Sequence, residues 1–135
     1  MLEILQNFVN VLTAAPTVTA IVGTNIFVGP VDIVMEKQSE LLYPQITMFV
    51  VSEVQRSNPL NTRDTHVQID LWSRNSQLEI ENLYEAVIAA LSYETTNQNT
   101  AHIFWQRLGG ATDLNEGGTK RTWHRAITFV CWSVK

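Results

Sequence analysis

The stretch from His66 to Tyr93 constrains the fold more than any other part of the chain, because it combines two different periodicities. Apolar and polar residues alternate at its start, which predicts a strand with one face on a hydrophobic core. Ser76 is followed by Glu79 three residues later, a pair that predicts the capping box of a helix N-terminus. Apolar residues at helical spacing follow this cap, namely Ile80, Leu83, Tyr84, Val87 and Leu91. The strand–helix unit has nothing local to bury its apolar face against, so other segments must complete a sheet.

Other segments supply that sheet and a second helix. The apolar residues from Leu2 to Leu12 have helical spacing, and Pro16 ends this first helix. One more short helical turn follows and is closed by Gly23. We predict strands at 26–28, 45–51, 66–72, 102–108 and 121–134, and mostly loop at 31–43. The last two strands are joined too closely for a crossover helix. The predicted fold class is α+β, a small, mostly antiparallel sheet with two main helices packed on one face.

Length and composition favour a single soluble domain over residues 1–135. The formal net charge of -4 provides no basic surface for tight nucleic-acid binding. A single cysteine excludes an intramolecular disulfide and suits a reducing compartment. No basic region precedes the first apolar residues, and no apolar run approaches the ~20 residues that span a bilayer. We therefore expect neither a signal peptide nor membrane contact.

The side chains that could carry chemistry form no recognisable motif. The three histidines, His66, His102 and His124, lack metal-ligand spacing, so no metal site is expected. Cys131 lies in an apolar setting that lowers thiol reactivity, which favours a buried structural cysteine. We expect no catalytic residue and no cofactor.

Two further candidate sites are also interpreted as structural. Asp64 and Asp70 flank the start of the central strand and could form an acid–base pair, but no third group supports that role. The glycines at 109–110 and 117–118 lack the spacing of a phosphate-binding loop. They predict a flexible hairpin tip that carries Asp113 and Glu116.

The last strand indicates an interface, because both of its faces are apolar near its end. Two helices can cover only one side of a small sheet, and contiguous apolar patches on soluble proteins usually mark interfaces. Four tryptophans lie in predicted strands or at their ends, namely Trp72, Trp105, Trp123 and Trp132. By alternation we assign Ile127, Phe129 and Cys131 to the core. The predicted subunit interface then contains Val130, Trp132 and Val134.

Four stretches after the N-terminal helix form an ordered pattern over most of the chain. They are AIVGTNIF at 20–27, YPQI at 43–46, VQIDLWSR at 67–74 and TWHRAITF at 122–129. This pattern resembles the tail-completion, or head–tail joining, proteins of long-tailed bacteriophages and prophages, which are related in fold to tail terminators. Residues 31–42 match nothing in the pattern.

The resemblance implies a structural, non-enzymatic role in the virion, with assembly in the host cytoplasm. Such proteins form a ring, typically hexameric, at the head-proximal end of the tail, where the ring terminates the tail tube or joins tail to head. The implied partners are further copies of the chain, the tail tube protein and the head connector or neck proteins. Genomic DNA passes through the lumen without sequence-specific binding.

Without the family resemblance, the residues leave other classes of function open. One is a small α+β homo-oligomeric binding module or enzyme with a pocket between helix and sheet, and another is a homo-oligomeric scaffold unrelated to phages. The loops predicted at 54–65 and 109–119 are rich in small polar residues, so we expect them to be mobile until a neighbouring subunit orders them. The predicted interface therefore also includes Asn58, Asn61, Asp113 and Glu116.

Overall fold

The computed structural model describes residues 2–29, 43–55, 62–91, 104–116 and 122–134, with the backbone alone at 2, 3, 62, 104–116 and 132–134. The described residues form three helices and five strands. The helices are α1 (Leu2–Thr13), α2 (Pro16–Val22) and α3 (Gln77–Ala90). The strands are β1 (Ile26–Val28), β2 (Gln45–Gln55), β3 (Thr62–Ser73), β4 (Phe104–Glu116) and β5 (Thr122–Val134).

Local sequence signals set the ends of the helices. Helix α2 begins with Pro16 in its first turn and ends at Gly23, whose φ of 61° is a conformation that favours glycine. At the start of α3, Ser76 Oγ accepts a hydrogen bond from the Glu79 amide at 3.1 Å, which confirms the predicted cap. The Glu79 carboxylate accepts from Ser73 Oγ at 2.7 Å, so the cap ties α3 to the end of β3. No described helix alone is long and apolar enough to cross a membrane, and α1 from Ile4 passes that test only together with α2, as a pair bent by 85°.

The five strands form one sheet in the order β1-β2-β3-β5-β4. Strand β1 is parallel to β2, and the other neighbouring pairs are antiparallel. A β-bulge interrupts the register of β2 between Val50 and Ser52, and a second one interrupts β4 between Leu108 and Gly110. This mostly antiparallel sheet with its helices confirms the predicted α+β class.

The helices cover one face of the sheet. The buried strand residues on this face are Ile46, Met48, Val67, Ile69, Leu71, Ile127, Phe129 and Cys131, and they share one core with α1, α2 and α3. Phe8 of α1 meets Phe129 edge to face, with ring centroids 5.8 Å apart. Arg125 is also buried on this face, where it pairs with Glu81 and lies over the ring of Tyr84 of α3. The predicted core side of β5 is thereby confirmed.

Two predicted loops are too long. Strand β2 continues to Gln55 and β3 begins at Thr62, so only 56–61 separates them, and that segment lies outside the described residues. The loop predicted at 109–119 is wrong for residues 109–116, because β4 runs through Gly109 and Gly110 to Glu116. Glycine in a strand often marks a bulge, and the bulge at Leu108/Gly110 lets β4 continue beside β5. Residues 31–42, predicted to be mostly loop, lie outside the described residues.

Candidate functional site

A polar and aromatic cluster lies on the sheet face opposite the helices, which we call the far face. Successive side chains of a strand point to opposite sides, so the neighbours of buried Leu71 along β3 point to the far face. The register places Trp72 opposite His124 of β5, and Asp70 opposite Thr47 of β2. The far-face cluster consists of Thr47, Gln68, Asp70, Trp72 and His124.

Three strands meet through direct side-chain contacts in this cluster. His124 Nε2 lies 2.7 Å from Asp70 Oδ1, which joins β5 to β3. The indole ring of Trp72 stacks on the His124 ring at a centroid distance of 3.7 Å and an interplanar angle of 13°. Trp72 Nε1 donates to Thr47 Oγ1 at 3.2 Å, which joins β3 to β2. Gln68 Nε2 donates to Asp70 Oδ1 at 3.0 Å, so one carboxylate oxygen serves two neighbours.

Four members of the far-face cluster are buried, and the fifth, Gln68, is half-buried. The side chains of His124 and Asp70 are 6% and 2% exposed, and Thr47 is fully buried. Burial of a polar group is costly unless hydrogen bonds replace water, and the short contacts of Asp70 meet that requirement. The sequence predicted a partly apolar, wet surface on this side, but its centre is a buried polar network.

An aspartate–histidine pair is also the orienting part of catalytic triads, where the histidine activates a nucleophile. Cys131, the chain's one thiol, does not fit that arrangement. It lies roughly 20 Å along β5 from His124, and its side chain is buried in the core on the opposite face. Burial raises the pKa of Cys131 to about 12, so the thiol stays protonated at neutral pH. The pair instead connects β5 to β3, and the Trp72–Thr47 hydrogen bond connects β3 to β2, so the far-face cluster has the contacts of a structural network.

The Asp70–His124 pair was not predicted from the sequence, where Asp64 was the partner considered for Asp70. Both aspartates lie on β3 six residues apart, which separates them by roughly 20 Å. His66 is half-buried on the same strand, and His102 lies outside the described residues. A correct strand register could have brought Asp70 near His124 before the structure was known. Among the described side chains, no group of three or more His, Cys, Asp or Glu residues could hold a metal ion.

The structure places the residues of the predicted interface in different regions. Val130 of β5 is half-buried and lies outside the core, opposite His66 in the register. The backbones of Trp132 and Val134 continue β5, and Trp132 lies between Asp64 of β3 and Trp105 of β4. Asp113 and Glu116 belong to β4, opposite Arg125 and Thr122. Asn58, Asn61 and the side chains of Trp132, Val134, Asp113 and Glu116 lie outside the described part.

The distal end of β2, residues 49–55, is more exposed than the beginning of the strand. The first four residues of β2 are buried, whereas most of its last five are exposed. Val51 and Val54 are 54% and 55% exposed, which is high for valine in a strand. The other large hydrophobic side chains exposed among the described residues are Val28 of β1 and Leu78 of α3. The sequence placed Val51 in a predicted strand with two apolar faces, but Val54 fell in the loop predicted from residue 54 onward.

An open depression of about 330 Å³ lies between α2 and the beginning of α3. Its lining includes Ile21, Leu78 and Glu79. Glu79 is already engaged by Ser73 and Asn75, so its carboxylate is held by the helix cap. This depression lies between two helices, and it does not correspond to the predicted alternative of a pocket between helix and sheet.

Comparisons with known proteins identify both a family and a fold. The family model for "Tail completion protein gp17" matches residues 6–133. The fold is similar to that of a chain in the solved structure "Virion of native gene transfer agent (GTA) particle", with a TM-score of 0.75. The two chains are 11% identical, and the match covers 95% of this chain and 92% of the other, so the likeness concerns the fold alone. No curated protein matches this sequence.

Proposed function

The chain belongs to the tail completion protein gp17 family, and from that premise we propose that it forms a ring at the head-proximal end of a bacteriophage tail. Membership of this family makes it a structural protein of the virion and not an enzyme. In the proposed ring, the subunits terminate the tail tube or join the tail to the head. Genomic DNA passes through the lumen.

The observation that carries this proposal is the extent of the family match, which includes nearly every described helix and strand. The structural neighbour comes from an assembled virion, which supports the same kind of setting for this chain. The architecture suits an assembling subunit, since the helices cover one sheet face while the distal end of β2 carries exposed valines. Exposed apolar surface of this kind is typical of protein interfaces.

The proposed partners are further copies of the chain, the tail tube protein and the head connector or neck proteins. Six copies are proposed because rings of this kind are typically hexameric. DNA in the lumen needs a wall that does not retain phosphate groups, and a chain with a formal net charge of -4 suits that requirement.

Val130, Trp132 and Val134 are proposed to contribute to the contact between subunits. Val130 lies outside the core, and an aromatic residue such as Trp132 often supplies much of the binding energy of an interface. The same proposal extends to Asn58 and Asn61 between β2 and β3. Asp113 and Glu116 are also proposed to contribute to the interface, as residues of strand β4 and not of a loop.

Size-exclusion chromatography with light scattering, followed by negative-stain imaging, tests the ring directly. The wild-type protein is expected to form closed rings, and Trp132→Asp is expected to remain folded but fail to assemble, because it places an unpaired charge in the interface. Phe129→Ala is the matched control on the same strand, and it is expected to lower thermal stability because Phe129 is a core residue. If Trp132→Asp unfolds the chain while Phe129→Ala has no effect, the proposed facing is inverted. A wild-type protein that stays monomeric at all concentrations, and in the presence of tail tubes, contradicts the ring.

A further inference from the structure

The charged residues of the chain are divided unevenly between the described helices and strands. Helices α1, α2 and α3, which we call the helix layer, contain no lysine, arginine or histidine. The charged residues of the helix layer are all carboxylates, namely Glu3, Glu79, Glu81 and Glu85. The arginines of the described elements all belong to strands, namely Arg63, Arg107 and Arg125. The helix layer is therefore acidic and carries no basic side chain.

The side of the helix layer that faces away from the core is polar. Its exposed polar side chains are mostly neutral, namely Gln6, Asn10, Thr13, Thr17, Gln77 and Asn82. Glu85 is exposed as well, and Glu81 keeps 46% of its side chain exposed although it pairs with Arg125. Among the described side chains of the three helices, Leu78 is the one large hydrophobic residue that is exposed. A single exposed leucine is ordinary, so the helix layer is not the kind of apolar surface that marks a protein interface.

The sheet differs from the helix layer in both respects. Val51 and Val54 of β2 are more than half exposed, and Arg107 of β4 lies opposite Val130 in the register. The side chain of Arg63 on β3 is 31% exposed. If the sheet faced DNA in a ring of six, one arginine in each subunit would supply about six phosphate contacts. That number is enough for strong, salt-dependent retention of a duplex.

From this division of charge, and resting on the ring proposed above, we infer that the helix layer lines the lumen and that the sheet faces away from the DNA. The molecule that passes the helix layer is then a double-stranded phosphate backbone, which this surface does not bind. Glu85, repeated in every subunit, places a ring of carboxylates around the passage. Because no basic side chain on this wall replaces the counterions of the duplex, DNA can move without breaking salt-dependent contacts. The far face, which carries Val130 of the proposed subunit contact, is left for protein partners.

Gold labelling of single cysteines tests the orientation of the subunit. Glu85→Cys on α3 and Asn10→Cys on α1 replace exposed residues, so both variants are expected to fold and assemble. After reaction of the assembled ring with a maleimide-linked gold cluster, negative-stain images are expected to show gold in the lumen for both. Ser52→Cys is the matched control, because it replaces an exposed residue of the sheet, and its gold is expected outside the lumen. The native Cys131 is buried and is expected not to react.

The salt dependence of DNA binding tests the function of the wall. Asn82→Lys adds one positive charge per subunit to the helix layer, and Ser52→Lys adds the same charge to the sheet. A linear duplex inside a ring of six meets all the added lysines, so Asn82→Lys is expected to steepen the slope of log affinity against log salt by about five. A duplex on the outside meets the lysines of one or two subunits, so Ser52→Lys is expected to change the slope by about one to two.

A covalently closed circular duplex is the control for threading, because it cannot enter a closed ring. The Asn82→Lys ring is expected to bind this circle no better than the wild-type ring does. Equal slope changes for Asn82→Lys and Ser52→Lys, or equal steepening with the linear and the circular duplex, contradict the inference.

The outcomes separate this inference from the ring proposal. A wild-type protein that forms no ring contradicts both. Closed rings that carry the gold of Glu85→Cys on their outer rim, or the gold of Ser52→Cys in their lumen, leave the ring intact and refute the assignment of the helix layer to the lumen. The same holds for closed rings in which Asn82→Lys leaves the salt slope unchanged.

Discussion

Removal of the Asp70 carboxylate is expected to destabilise the protein strongly, because it breaks the far-face cluster at its centre. Asp70→Ala leaves His124 buried without the acceptor at 2.7 Å, and it also removes the acceptor of the Gln68 amide. Leaving a buried polar group without its hydrogen-bond partner typically costs about 1–3 kcal/mol. With Asp70 only 1% exposed, solvent cannot readily replace the lost contacts, so we expect a loss of about 3 kcal/mol in the free energy of unfolding.

Urea denaturation followed by far-ultraviolet circular dichroism measures this loss. The double variant Asp70→Ala/His124→Ala completes a thermodynamic cycle, and we expect it to cost less than the sum of the single variants by about 1–3 kcal/mol. Asp64→Ala is the matched control, because Asp64 lies on the same strand and face but is only half-buried. We expect it to cost less than about 1 kcal/mol. A cost below about 1 kcal/mol for Asp70→Ala would refute the stabilising contact that we infer between Asp70 and His124. The same holds if the costs of the two single variants add up to that of the double variant.

Further predictions concern other parts of the fold. Phe129→Ala should lower the free energy of unfolding by about 3 kcal/mol or more, and a thermal melt unchanged from wild type would place Phe129 outside the core. Ser76→Ala should cost about 1 kcal/mol by removing the acceptor of the Glu79 amide, as measured in urea, whereas no change would mean that Asn75 supplies the cap. Burial raises the pKa of Cys131 to about 12, so its thiol should react with a disulfide reagent at pH 8 only as the chain unfolds, and rapid native modification would contradict that burial. About every second amide of residues 110–116, those that donate to β5, should exchange slowly, since β4 replaces the predicted loop, and fast exchange of all of them would indicate a loop instead.

The strand–helix unit could be predicted from the sequence because its signals are local. Alternation identified the core side of β3, and the spacing from Ser76 to Glu79 identified the start of α3, where the cap forms as expected. The same alternation predicted which side chains of β5 point to the core, once Phe129 was assigned there. Each of these features depends on residues within a few positions of one another, so the sequence by itself determined them.

Strand β4 and the distal end of β2 could not be predicted in the same way. Residues 109–116 contain glycines and polar residues that favour a loop, yet pairing with β5 holds them in a strand through a bulge. Strand propensity depends on neighbouring strands and on burial more than on the residue itself, so tertiary pairing overrode the local composition. Val51 lay in a predicted strand, but the exposed Val54 could be placed beside it on β2 only when the strand was seen to continue to Gln55.

The far-face cluster was decided by the tertiary structure alone. Asp70 and His124 are separated by 54 positions in the chain, and a shift of one residue in the strand register would turn one of them to the other face. The sequence by itself determined that β3 and β5 each have an apolar and a more polar side. Only the packing of β5 beside β3 brought a carboxylate, an imidazole and an indole into contact, because side chains on different strands meet according to register and not according to sequence separation.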